Sequence, residues 1–404
     1  VVEYGGLCQW LINCINILTG HFDVEGGAMF ASPAFDFISG KVQGQKFNRW
    51  QSRVRKLPEF VGEFPSATLA EEILTEGEGQ IKAMLTTAGN PVLYTPNGKQ
   101  LDQAFEQLEF MVSIDIYLNE TTRHANIILP PATGLEVPHY DVVFHNFAVQ
   151  NSVKYSEPLF EIEEDAKYDY EIFLALQKRL EPQLPEDHPK RKRQLQYYHA
   201  TPEILLDIGL RAGPYQLSLE EVKKHPHGID LGALKTQLPE RLCTADKNIP
   251  LFPDFYKSDL ERVKANMLDG KFSLNGHLLL IGRRNLRSNN SWMHNSERFV
   301  KGRNQCTALL HPEDAKAKGI SNGQVINVRS KVGQVEIEAE LSEEMMPGVI
   351  SIPHGWGHHR KDIQLEVAQA HAGVSVNDVT DHTLVDDLTG NAAVNGVKVE
   401  VRVV

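Results

Sequence analysis

The sequence holds few cysteines and no two of them spaced to clamp a metal. Cys8, Cys14, Cys243 and Cys306 are the four in 404 residues, and CxxC does not occur. No zinc or iron–sulfur site can therefore be read from spacing. Such usage fits a reducing cytoplasm better than a disulfide scaffold. Long apolar runs are also missing: none approaches the roughly 20 residues that cross a bilayer as a helix. The opening stretch lacks the basic segment and small-residue cleavage site of a signal peptide. Positive charge is in deficit, with 41 Lys and Arg against 53 Asp and Glu and a net charge of −12. That balance argues against a general nucleic-acid binder, and the basic run Lys190 to Arg193 reads as a solvated face. No phosphate loop, nucleophile elbow or HExxH is present. The first residue is Val1, inside a helical pattern; this reading expects a fragment or a processed product.

The elements that are present change character along the chain. Trp10, Leu11, Cys14, Ile17 and Leu18 fall at helical spacing, with Gly20 as a stop. From Thr68 helices and short apolar strands alternate. A helix over Thr68 to Leu74 precedes a strand over Ile81 to Leu85, and a helix over Leu101 to Leu108 precedes a strand over Phe110 to Ile116. A turn of helix at Glu120 to His124 then leads to a third strand, Asn126 to Leu129. This alternation predicts a parallel, doubly wound sheet, whose ligands bind at the carboxyl ends of strands. Here those ends are Thr86 to Asn90 and Ser113 to Tyr117. A helix is expected over 166–181, a Pro-containing basic stretch over 182–200, and a connecting segment over 213–274. Beyond 275 the texture is β-rich. Strands are expected at His277 to Gly282, Gln324 to Arg329, Gln334 to Glu340, Val349 to Ile352 and Val397 to Val403, with a short helix at Pro312 to Lys318. Residues 330–333 read as a hairpin loop, and so many short strands favour a closed barrel over a sandwich. The predicted organisation is 1–65 as tail and connector, 66–212 as an α/β region, 213–274 as a link and 275–404 as a barrel.

Three constellations carry candidate chemistry. Gly89-Asn90-Pro91 follows a strand, where glycine lets backbone approach a phosphate and Asn satisfies a nucleotide or a backbone group; the alternative is a plain turn. Asp115 ends the next strand, where a carboxylate can accept from the N–H edge of guanine. Glu120 and Thr121 follow it, and the alternative there is a helix cap around Asn119, Glu120 and Thr121. Gly282-Arg283-Arg284, then Asn290-Ser291-Trp292 within a run of Ser and Asn, offers arginine forks for phosphate and donors for a polar heterocycle. The alternative is a solvent-facing loop. The histidines of His354 to His359 lack the spacing of a metal site and read as a flexible, polar loop lining a funnel.

Several of these segments together resemble the molybdopterin oxidoreductase superfamily, which includes formate dehydrogenases and dimethyl sulfoxide reductase. The segment Leu18-Thr19-Gly20 through Gly26-Gly27 is similar to that family's "LTGN…GG". Asp115 through Asn119-Glu120-Thr121-Thr122 and Ala125 to Pro130 are similar to its "D…TET…ADVVLP", with Asn126 at a position where the family usually has Asp. Pro312 to Ala315 and Gly319 to Gly323 resemble its "P-x-DA…GI-x-DG", and Gly373 through Asn377 resembles its closing segment. Arg283-Arg284 and Arg287 through Trp292 look most like formate-dehydrogenase-type members. The resemblance implies part of a parallel dinucleotide-binding α/β domain followed by a double-psi β-barrel. It also implies two molybdopterin guanine dinucleotides holding molybdenum or tungsten. By position, Gly89, Asn90, Pro91, Asp115, Glu120 and Thr121 match residues at a guanosine end. Gly282, Arg283, Arg284, Asn290, Ser291, Trp292 and Asn377 match barrel residues facing pterin and phosphate. The family's [4Fe–4S] motif and metal-ligating residue lie upstream of the matching segments. The resemblance therefore implies no catalytic residue and no metal ligand in this stretch, which alone would be inactive. A small-molecule substrate and a redox partner protein are expected, with no nucleic acid and no membrane segment. A homologue that keeps the fold as a scaffold in an electron-transfer complex is the competing reading; a stand-alone guanine-nucleotide binder would want a phosphate loop.

Overall fold

A computed structural model describes residues 1–37, 47–269 and 273–404. The chain forms two compact units, each assembled from separate stretches. The first unit takes 1–9, 46–129 and 252–404, and the second takes 10–45 and 130–251.

In the first unit, β1 (Ala83–Thr87), β2 (Phe110–Ile114) and β3 (Ile127–Ile128) form the expected parallel sheet in the order β1-β2-β3. Ala83 pairs with Phe110 and Thr87 with Ile114. That pairing moves β1 two residues beyond the expected start and end. β2 stops at Ile114 rather than Ile116 because the Asp115 carboxylate accepts from the Tyr117 N–H at 3.0 Å and turns the chain. Helix Gly98–Phe105 buries Leu101, Ala104 and Phe105 at helical spacing. These pack with Ile73, Val92 and Met111 into one cluster. Met84, Thr86, Met111 and Ser113 share the covered side of the sheet. The opposite side leaves Leu85, Phe110 and Ile127 exposed.

The same unit contains the barrel. Its strands are β4 (Leu278–Arg283), β5 (Thr307–Leu310), β6 (Val325–Arg329), β7 (Gln334–Leu341), β8 (Val349–Pro353) and β9 (Val397–Val403). They close in the order β6-β7-β5-β8-β4-β9. Two pairs are parallel, β5 with β7 and β4 with β8. The alternation expected of β7 is present, with Val335, Ile337 and Ala339 inside. They meet Leu280, Leu310, Ile326, Ile350 and Val399 in the core. The β6–β7 hairpin turns through 330–333, as expected. Helix Pro312–Lys318 ends at Gly319, whose φ of 67° is the left-handed cap that glycine takes without strain.

The second unit contains helices Asp169–Leu180, Arg191–His199, Pro202–Ala212 and Leu219–Lys223. Small antiparallel pairs join Asn151–Val153 to Ile229–Gly232 and His139–Tyr140 to Tyr155–Ser156. The core gathers Ala34, Val153, Leu206, Leu210, Leu219 and Val222. The helix over Pro202–Ala212 has no counterpart in the sequence reading, although Thr201 caps it by accepting from the Ile204 N–H at 3.3 Å. The stretch read as a link supplies Leu219, Val222 and a paired strand to this core. No helix among the described residues is long and apolar enough to cross a membrane.

Candidate cofactor-binding site

The carboxyl ends of β1 and β2 and the loops of the barrel come together within the first unit. Three latches make the junction. The Asn377 amide donates to the Leu93 carbonyl at 2.7 Å, the Asn97 N–H donates to the Thr380 carbonyl at 3.0 Å, and the Gln364 N–H donates to the Leu118 carbonyl at 2.9 Å. A charge cluster, half-buried at Asp102, Arg123 and His124 and buried at Arg360 and Asp378, adds a fourth. Asp102 accepts from Arg123 at 2.7 Å and sits 2.6 Å from His124 Nε2. Arg360 reaches both Asp102, at 3.3 Å, and Asp378, at 3.1 Å. Burial opposes ionisation of Asp102, but the hydrogen bonds from His124 and Arg123 and the charge of Arg360 hold its carboxyl down at about 2.

The sequence-predicted residues divide by how they are used. On the sheet side, Asn90, Asp115, Glu120 and Thr121 are buried. The Asn90 amide donates to Glu120 Oε2 at 2.6 Å, and its carbonyl accepts from the Thr121 hydroxyl at 2.8 Å. Thr121 in turn accepts from the Val92 N–H at 3.2 Å. Pro91 begins a single helical turn, Pro91–Tyr94. Asp115 accepts from the Tyr117 N–H and, at 3.3 Å, from the Asn119 amide, while the Asn119 side-chain oxygen accepts from the Thr121 and Thr122 N–H groups at 2.9 and 3.0 Å, the cap that the sequence left as an alternative. Gly89 is half-buried, and a side chain added there would meet nothing closer than 3.5 Å.

On the barrel side, Arg283 is half-buried and faces inward. Its guanidinium donates to the carbonyls of Ser351 at 2.8 Å, Thr307 at 2.9 Å and Gln305 at 3.2 Å, tying neighbouring strands together. Burial lowers its pKa below the usual arginine value. Gly282, Arg284, Asn290 and Trp292 are exposed. Arg284 donates to the Asn290 side-chain oxygen. Ser291 is buried, its hydroxyl 2.6 Å from that of Tyr94, so this loop meets the turn that follows Asn90. Burial raises the Tyr94 pKa.

The histidine loop departs from the sequence reading. His358, expected on a flexible polar loop, is wholly buried: its Nδ1 lies 2.7 Å from Glu120 Oε1 and its Nε2 lies 2.9 Å from Nδ1 of His294. Burial weighs against the Glu120 carboxylate, but the hydrogen bonds from His358 and Asn90 keep its pKa below the ordinary value. Burial, with His358 alongside, lowers the His294 pKa to about 3, so that ring is neutral. Trp356 stacks on His294 with centroids 4.0 Å apart. Sequence reasoning named Glu120 but missed its link to His358 and His294, as it missed Asp102, Arg360 and Asp378. Glu120 and His358 stand 238 positions apart, and no local period links them. Among the described residues, no group of three or more His, Cys, Asp or Glu side chains is placed to hold a metal ion.

Comparison with known proteins agrees with this layout. Residues 10–179 match the molybdopterin oxidoreductase family, and residues 278–398 match the molydopterin dinucleotide binding domain. The chain is 25% identical to the dimethyl sulfoxide/trimethylamine N-oxide reductase of Rhodobacter capsulatus, over 70% of this chain and 36% of that protein. It is 24% identical to the F420-dependent formate dehydrogenase subunit alpha of Methanocaldococcus jannaschii, over 70% of this chain and 40% of that one. Acetylene hydratase from Pelobacter acetylenicus shares the fold, with a TM-score of 0.61 and 17% identity over 84% of this chain and 46% of the other. The chain spans between about a sixth and about half the length of the curated relatives it matches. The two family matches follow chain order, the first taking in the sheet and part of the second unit and the second the barrel, and the chain belongs to the molybdopterin oxidoreductase superfamily.

Proposed function

We propose that this chain supplies the cofactor-holding surface of a formate-dehydrogenase-like molybdopterin oxidoreductase and binds molybdopterin guanine dinucleotide. One observation carries the reading: the strand ends of β1 and β2 and the polar loop Arg283 to Asn295 meet at a single junction. An exposed guanidinium at Arg284, an amide at Asn290 and an indole N–H at Trp292 form a donor set suited to phosphate oxygens and a polar heterocycle. Gly89 and Gly282 leave room for a ligand to approach backbone. In this reading Gly89, Gly282, Arg284, Asn290 and Trp292 touch the cofactor. Asn90, Pro91, Glu120, Thr121, Arg283, Ser291 and Asn377 hold the loops in place, and Asp115 serves the guanosine end. When bound, the metal dithiolene supplies the redox chemistry, while the protein contributes orientation and charge.

Finer points of the proposal rest on separate supports. The six-stranded barrel with two parallel pairs supports a double-psi topology for 275–404. The open side of the sheet, with Leu85, Phe110 and Ile127 exposed, supports a partial dinucleotide-binding domain within 66–212, because parallel sheets are normally covered on both faces. The metal-ligating residue and any [4Fe–4S] cluster are assigned to sequence beyond these 404 residues. A redox partner, two dinucleotides per metal and a cytoplasmic setting complete the proposal.

The test is the content of the full-length protein. Acid hydrolysis should release guanosine monophosphate together with stoichiometric molybdenum or tungsten, and formate should reduce an artificial acceptor. Metal and nucleotide without formate turnover would leave a different substrate in the same cofactor class. Absence of both would favour the electron-transfer scaffold.

A further inference from the structure

Glu120, His358, His294 and Ser288 stand in single file. His358 joins Glu120 at 2.7 Å and His294 at 2.9 Å, and His294 Nε2 lies 2.9 Å from the Ser288 hydroxyl. All four side chains are buried. The direction of donation along such a file follows from its neighbours. Val92 donates its N–H to the Thr121 hydroxyl, and the Thr121 proton goes to the Asn90 carbonyl. The Asn90 amide nitrogen then faces Glu120, whose carboxylate has no proton to return. His358 therefore donates from Nδ1 to Glu120. His294 is neutral and holds one N–H; taking His358 as neutral too, its Nε2 accepts from His294 Nδ1, and His294 Nε2 accepts from Ser288. The Trp356 ring fixes the plane of His294, and His354 and the Gly355 carbonyl are the other groups facing it.

We propose that this file is a directional hydrogen-bond relay that sets both imidazoles as Nδ1–H tautomers and holds the barrel loop around Ser288 to Asn295 in register with the turn at Asn90. Its bearing on the cofactor rests on the function proposed above; its tautomers do not. His358 and His294 act here as positioning residues. Their order is set by the Glu120 carboxylate on the sheet side, which can only accept, and read out at a serine on the barrel side.

Neutron diffraction from the perdeuterated full-length protein tests the relay directly. Deuterium is expected on Nδ1 of both rings and on neither Nε2. Glu120→Gln keeps the shape but gives the amide a proton to donate to His358. That substitution should move the deuterium to Nε2 on both rings and reverse the Ser288 bond. Deuterium on either Nε2 in the unmodified protein overturns the proposal, even if the variant does not fold. So does a variant in which His358 changes and His294 does not. Retention of guanosine monophosphate by the holoprotein should drop about tenfold in Glu120→Gln, the lower range for loss of a supporting hydrogen bond. Unchanged retention after both tautomers reverse would remove the positioning role. An unmodified protein that carries no nucleotide would sink the cofactor reading and leave the relay standing.

Discussion

At the scale of single residues, the site is governed by which polar groups are already engaged. Arg283 looks in sequence like a phosphate ligand, yet its guanidinium is turned to three strand carbonyls. Arg283→Ala should therefore destabilise the barrel by about 2–4 kcal/mol, the range for leaving several buried carbonyls without donors. A lowered urea midpoint checks this, and an unchanged midpoint with lost cofactor would make Arg283 a ligand after all. The buried histidines give the molecule an acid sensitivity of definite sign. Burial holds His294 at about 3 and His354 at about 4, while an unfolded histidine takes its proton near about 6.5. The unfolded chain thus binds more protons below that point, and stability is lost as pH falls from there toward the folded values. Replacing His294 by Gln should flatten the slope of the urea midpoint between about pH 6.5 and pH 4.5, over which the unfolded imidazole titrates. A slope that stays as steep would move the effect to other groups.

At the scale of elements, what was legible in the sequence was local. The β6–β7 hairpin and helix Pro312–Lys318 carry their own alternation, cap and stop, and both are found where those signals put them. β1 was misplaced by two residues because its limits are set by pairing with β2, a partner sequence does not show. The candidate loops were found through their composition. Which of their side chains face inward was not legible, because that depends on contacts such as Asn377 with Leu93. Gly355 shows how tight one such contact is. Its φ is 93°, and a side chain there would come within 1.8 Å of the Asn290 carbonyl oxygen. Gly355→Ala should force the two loops apart, cost about 2–4 kcal/mol and release the cofactor. Denaturation read alongside nucleotide content checks both effects. A fully stable, loaded variant would mean that the loops need no such approach.

At the scale of the whole molecule, the two units have separate hydrophobic clusters, and each cluster predicts its own response. Leu210 is fully buried in the second unit. Leu210→Ala should cost about 2–5 kcal/mol, the usual range for such a truncation. Two calorimetric transitions are expected, and only one should move. One shared transition, shifted as a whole, would show that the units unfold as a single cooperative body.

The order of the barrel strands has a consequence for how the protein is made. β9 closes the barrel by pairing with both β4 and β6, yet it is the last of the six strands to leave the ribosome. The loop that follows β4 is therefore synthesised long before its frame exists. At ordinary translation speeds the interval is on the order of ten seconds. Insertion of a large cofactor during that time would find a half-built cradle, so loading is expected only after β9 has closed the barrel.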